Sequence, residues 1–153
     1  EATRLGVTVP EDMAAAIALP AGELERLLTP LLQDPQCFTG APLAPVVTGT
    51  DRIFCIGLNY RQHAKCGLPI PPAPVLFNKV SNALAAHGDW VKLILDYKEY
   101  DYEAELVSVI GKPARNVSEE DALDYVFGYT CGNDLSTRDL QFARGGQWVL
   151  SKT

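Results

Sequence analysis

Glu103 and Glu105 stand one residue apart at the head of an apolar run, Leu106-Val107-Ser108-Val109-Ile110. In an extended strand, residues i and i+2 share a face, so the two carboxylates point the same way. Val107 and Val109 continue that face, while Ala104, Leu106 and Ile110 form the other, and both faces after Glu105 are expected to be buried. Two anions at such a boundary need a nearby cation or a shifted protonation. Asp134, at the end of another expected strand, is a third carboxylate. Hard divalent cations such as Mg²⁺ take oxygen ligands and keep waters that a substrate can displace. From spacing alone, the pair fits a solvated strand face as well as a cation site.

His63 is one of two histidines, set between Arg61 and Lys65 just after a strand. That setting permits a general base without requiring one. His87, in a turn-like stretch, is read as structural. Arg138 and Lys152 are able to bind a carboxylate or an oxyanion, and equally to act as surface charges.

The elements that must position these groups lie in a chain of 153 residues with 47% hydrophobic content, enough for one domain with a core. Eleven prolines and twelve glycines call for many turns. A net charge of −6 and a pI near 4.8 argue against a nucleic-acid binder. No apolar run is long enough for a membrane span, and no signal pattern opens the sequence. Cys37, Cys55, Cys66 and Cys131 form no CxxC pair, which disfavours zinc; a reduced, cytoplasmic protein is expected.

Residues 1–50 read as a leading segment. Leu24, Leu27, Leu28, Leu31 and Leu32 keep the rhythm of an amphipathic packing helix, with Pro20 in its first turn and Pro30 as a break or kink. Strands are expected at Arg52–Leu58, Val75–Lys79, Val91–Leu95, Tyr102–Gly111 and Phe127–Cys131. Helical turns are expected at Asn59–Gly67 and after Ser118, whose spacing to Asp121 resembles a capping box. Short strands with few helices predict an α+β, mainly β unit.

Several stretches recur in the order of a known family. These are Gly57-Leu58-Asn59-Tyr60-Arg61-Gln62-His63-Ala64, Pro74-Val75-Leu76-Phe77-Asn78-Lys79, Tyr102-Glu103-Ala104-Glu105-Leu106, Asn133-Asp134-Leu135-Ser136-Thr137-Arg138-Asp139-Leu140-Gln141 and Gln147-Trp148. Over residues 51–153 the chain resembles the fumarylacetoacetate hydrolase superfamily. The resemblance implies an FAH-like rolled β-sheet with short helices as the catalytic domain, preceded by the small N-terminal segment, and a homodimer. It implies Mg²⁺, with Mn²⁺ or Ca²⁺ as alternatives, held by Glu103, Glu105 and Asp134. His63 takes the general-base position, Lys152 lies near the substrate, and Arg138 and Gln141 bind it. The implied substrate is a small 2-oxo or 1,3-dicarbonyl acid, cleaved by carbon–carbon bond hydrolysis. A decarboxylase or isomerase of the same family, and a non-catalytic relative, are the alternatives.

Two departures bear on that reading. Family hydrolases commonly carry His-x-x-Glu, whereas Cys66 stands three residues after His63. A thiol of ordinary pKa is no anion at neutral pH, so the change touches water activation more than metal binding. The family pattern also normally continues well past Lys152-Thr153, so the domain is expected to be truncated at its C-terminal end.

Overall fold

The computed structural model describes residues 2–33, 42–64, 69–143, 145–146 and 148–152. Lys65, Cys66 and Gly67 lie outside them, as do Cys37, Gln147 and Thr153. The strands are β1 (Ile53–Gly57), β2 (Val75–Lys79), β3 (Tyr100–Asp101), β4 (Ala104–Ile110), β5 (Val126–Asn133) and β6 (Ser136–Thr137). The α-helices are α1 (Met13–Ile17), α2 (Glu23–Leu32), α3 (Arg61–Ala64) and α4 (Arg138–Phe142). Strands pair as β1–β2, β3–β6 and β4–β5, giving a mainly β α+β chain among the described residues.

The chain divides into two compact units. One comprises Glu1–Thr48, Ala86–Asp89 and Leu106–Cys131. The other comprises Gly49–Ala85, Trp90–Glu105 and Gly132–Thr153, and it carries every candidate site residue.

In the first unit α2 follows the leucine rhythm, with Leu24, Leu27, Leu28 and Leu31 half-buried. Pro20 precedes α2 rather than joining its first turn, and its carbonyl accepts from Glu23 N. Pro30 does not break the helix, which ends two residues later at Leu32. The proline still deprives Arg26 O of its donor and crowds that carbonyl, and the helix runs on for only two residues past it. After Pro113, the Ser118 hydroxyl accepts from Asp121 N at 3.2 Å, half of the expected capping box, but donates to Asp121 Oδ2 at 2.7 Å, so the reciprocal bond comes from the hydroxyl and not from the Ser118 backbone. The turn it opens is a 3₁₀ helix, Ala122–Tyr125.

In the second unit β1 and β2 are antiparallel, with Cys55 opposite Phe77 and Gly57 opposite Val75. Their inner face presents Val75, Phe77 and Lys79 in the strand period of two. Phe77 meets Trp148 edge-on, with ring centroids 5.2 Å apart. Gly57 makes room for that indole, since a Cβ there would come within 2.8 Å of Trp148. After β1, Leu58 adopts φ +54° and turns the chain towards α3, which carries His63.

Two expectations for the strands fail. Val91–Leu95 forms no strand; Trp90 is 99% exposed, and the Tyr100 hydroxyl bonds both N and O of Ile94 at 2.8 Å. With a side chain satisfying the backbone, the apolar run has no ladder to join. The faces of β4 after Glu105 are not buried either: Leu106, Val107 and Ile110 are exposed, because β4 pairs only with β5 among the described residues. The shared face of Glu103 and Glu105 does hold, both being half-buried between exposed Tyr102, Ala104 and Leu106.

Candidate metal centre

Two chain segments carry the carboxylates, and the backbone ties them together. Asp101 pairs with Ser136 and Tyr100 with Thr137 across β3–β6. Asp134 N donates to Glu103 O at 2.9 Å, and Glu103 N donates to Asn133 Oδ1 at 3.1 Å. Glu103 and Asp134 are thus fixed beside each other by a main-chain bond and the Asn133 side-chain amide, before any charge acts.

One oxygen each from Glu103, Glu105 and Asp134 lie within 4.8 Å of one another. Three cations surround them. Lys152 Nζ, 2% exposed, donates to Glu103 Oε1 at 2.6 Å and to Asp134 Oδ2 at 2.7 Å. Lys79 Nζ donates to Asp134 Oδ1 at 2.8 Å and to Leu135 O at 3.3 Å. Arg138 Nη2 stands 3.0 Å from Glu103 Oε1. Lys152 also lies 5.0 Å from the Phe77 ring centroid, where the ring face favours a cation.

The charges shift one another in opposite directions. Burial pushes the Glu103 carboxyl up, but hydrogen bonds from Lys152 and Ser136, with the charges of Lys152 and Arg138, hold it below the usual range. Glu105 goes the other way: burial raises it, and the anions Asp134 and Glu103 add to the rise. Glu105 accepts no hydrogen bond among the described residues. The charges of Lys152 and Lys79 offset the rise only in part, and a half-buried carboxylate facing two others, with no ion pair among the described residues, fits an all-oxygen site for a hard divalent ion.

A cavity of about 290 Å³ opens beside this group, lined by Tyr60, His63, Glu103, Glu105 and Arg138 among others. His63 is exposed on α3 at its edge. Arg138 donates through Nε and Nη2 to Asp101 Oδ2 and through Nη1 to Gln141 Oε1. Although burial disfavours the charge, Asp101 and Glu103 hold the guanidinium pKa above its usual value. Gln141 is buried and joins the site through Arg138.

Every site residue expected from the sequence therefore falls in one unit, with Glu103, Asp134 and Lys152 in direct contact, Glu105 within 4.8 Å of the other carboxylates and His63 lining the cavity. Lys79, Ser136 and Asp101 escaped notice. Lys79 had a signal, sharing a strand face with Val75 and Phe77 in period two.

A family model described as Fumarylacetoacetate (FAA) hydrolase C-terminal matches residues 52–153. A fumarylacetoacetate hydrolase domain-containing protein 2 homolog of Dictyostelium discoideum is 48% identical over 76% of this chain and 37% of its own length. The mitochondrial oxaloacetate tautomerase fahd2 of Xenopus laevis is 43% identical over 72% of this chain and 35% of its own. Among solved structures, a 2-hydroxyhepta-2,4-diene-1,7-dioate isomerase from Mycobacterium marinum superposes with a TM-score of 0.55 at 36% identity, covering 67% of this chain and 36% of that one. The chain thus spans little more than a third of the length of these relatives. No described helix is long and apolar enough to cross a membrane. With the matched model covering two thirds of the sequence and these identities alongside it, the chain belongs to the fumarylacetoacetate hydrolase family.

Proposed function

We propose that the protein is a divalent-metal-dependent enzyme that interconverts the keto and enol forms of a small 2-oxo dicarboxylic acid. The observation that carries this reading is the convergence of Glu103, Glu105 and Asp134 within 4.8 Å beside a cavity lined by His63 and Arg138. Glu103, Glu105 and Asp134 would hold the ion, Mg²⁺ first among the candidates. When bound, such an ion polarises a 2-oxo group. His63 removes a proton from the carbon beside that group, the C–H pair becomes the new C=C bond, and the proton is returned to the carbonyl oxygen. Among the described residues, Asp101, Gln141 and Glu103 take four of the five Arg138 N–H donors, and the remaining Nη1 hydrogen receives a substrate carboxylate. Lys152 supplies a buried positive charge for the developing oxyanion. The name of the Xenopus relative, an oxaloacetate tautomerase, supports this choice of reaction.

The second reading, carbon–carbon bond hydrolysis, is favoured by the family's own name and needs His63 to activate water as well. Cys66 in place of the usual glutamate weighs against it. Decarboxylation would use the same enolate. A homodimer is the proposed working form, supported by the exposed apolar side chains Phe54, Ile56 and Leu76 on the outer face of β1–β2. Light scattering should give twice the 16.6 kDa chain mass, and a monomer would remove that part.

The test pairs calorimetry with enol absorbance of oxaloacetate. Glu103→Ala should abolish Mg²⁺ binding and turnover together. His63→Ala should keep Mg²⁺ binding and lose about 100-fold in turnover, the usual range for a general base. An intact protein that binds no divalent ion overturns the reading. Acylpyruvate cleavage well above the Mg²⁺ background, without tautomerisation, replaces it with hydrolysis.

A further inference from the structure

Glu103 is the most heavily contacted of the three carboxylates among the described residues, and its side-chain contacts converge on a single oxygen. Lys152 Nζ at 2.6 Å, Ser136 Oγ at 2.7 Å and Arg138 Nη2 at 3.0 Å all meet Oε1. Two of these are long cationic side chains whose tips can follow a substrate or an ion. Ser136 differs. It is 1% exposed, it has one rotatable bond before its hydroxyl, and it lies on β6 directly opposite Asp101, two residues before Glu103. Its hydroxyl also lies 2.9 Å from Asp134 O.

A hydroxyl has one proton to give, and the charged acceptor makes the stronger bond, so Glu103 Oε1 receives it. Asp134 O, at 2.9 Å, is the weaker competitor for the same proton. We propose that Ser136 is a positioning residue of the metal centre: it anchors Glu103 through Oε1, so that Oε2 is the oxygen presented to the ion. Glu105, with no such anchor among the described residues, adjusts to whatever ion enters. The inference rests on the metal-site reading above. It goes further by naming the neutral group that orients the carboxylate and the ligand oxygen it leaves available.

The hydroxyl acts on ligand orientation and not on the reacting atoms, and this sets the expected signature. Loss of a hydrogen-bonding partner behind a metal ligand commonly weakens metal binding about 10- to 100-fold. Because Lys152 and Arg138 remain on Oε1, Ser136→Ala should fall near the lower end, about 10-fold for Mg²⁺ by calorimetry. Its metal-free melting temperature should stay close to wild type, since alanine fills nearly the same space. At saturating Mg²⁺ its kcat should return to near the wild-type value, with the defect confined to the metal concentration needed.

Each outcome decides. Wild-type Mg²⁺ affinity in Ser136→Ala overturns the positioning role while leaving the metal site standing. A kcat that stays low at saturating Mg²⁺ also overturns it, because the hydroxyl would then serve the chemistry. A metal-free protein that melts much earlier, with Mg²⁺ affinity falling only in proportion to the unfolded fraction, assigns Ser136 to folding instead. Absence of any Mg²⁺ heat in the wild type overturns the metal-site reading, and this inference with it.

Discussion

Two arginine–carboxylate pairs of nearly equal length lie in different surroundings. On α2, Arg26 Nη2 stands 2.6 Å from Glu23 Oε1, one helical turn away and largely in solvent. In the candidate site Arg138 Nη2 stands 2.7 Å from Asp101 Oδ2 and 3.0 Å from Glu103 Oε1, with most of the guanidinium covered. Distance alone would rank them together. The first pair competes with water at every atom, so its ionic character is screened. The second belongs to a network in which Lys152 and Asp134 are nearly dry. There an unpaired charge has no solvent to turn to. The residues most shielded from water in this chain are accordingly polar: Lys152, Ser136 and Ser151, then Gln141 and Asp134, with Ala16 the one apolar residue among the described ones.

The largest break of that comparison is Lys152→Met. It removes the ammonium bonded to both Glu103 and Asp134. Leaving buried partners uncompensated commonly costs about 3 kcal/mol or more, so the metal-free variant should unfold at distinctly lower denaturant. Added Mg²⁺ should then raise the Tm of Lys152→Met more than that of wild type, because the ion restores positive charge where the ammonium was. Equal Mg²⁺ stabilisation of the two proteins would show that Lys152 does not balance the same carboxylates.

The network also marks the limit of what its sequence discloses. Val75–Lys79 is a strand within the bounds its alternation predicts, because one face packs and period-two spacing records that locally. Glu103, Glu105 and Asp134 were legible for a related reason: their residue types and strand positions restrict them to one face and one strand end. Ser136 was not, and Lys79 was legible only as a position on the β2 face. Their partners lie 33 and 55 residues away, and alternation places a side chain on a face without naming what it bonds. Val91–Leu95 failed from the opposite cause. It has the apolar composition of a strand, but pairing depends on a distant partner, and Tyr100 takes its backbone groups instead. The buried faces expected along β4 were read from composition in the same way, and exposure there follows from what lies against the strand.

A smaller effect sharpens the contrast from within the site's own unit. Cys55, on β1 opposite Phe77, has its thiol pushed up to about 11, first by burial and then by the charges of Asp134 and Glu105. The sign is that of a neutral group resisting ionisation: at pH 8 its thiolate fraction should be about 100-fold below that of an unshifted thiol, each unit being tenfold. Iodoacetamide at pH 8 should therefore modify exposed Cys131 long before Cys55, as peptide mapping would resolve. Comparable rates at the two positions would mean that the β1 face is open to solvent and that the anions beside it are screened.

The smallest effect belongs to the exposed pair. Arg26→Ala deletes both hydrogen bonds to Glu23, at 2.8 Å and 2.6 Å, and leaves the leucine face of α2 untouched. Packing of that face, not the ion pair, is what holds a ten-residue helix in a folded chain. Alanine also has the higher helix propensity, which offsets the lost pair. The melting temperature of Arg26→Ala should thus match wild type within error, at low and at high salt alike. A clear drop at low salt that vanishes at high salt would show that Glu23 and Arg26 are less screened than their exposure implies, and the two arginine pairs would then differ in degree rather than in kind.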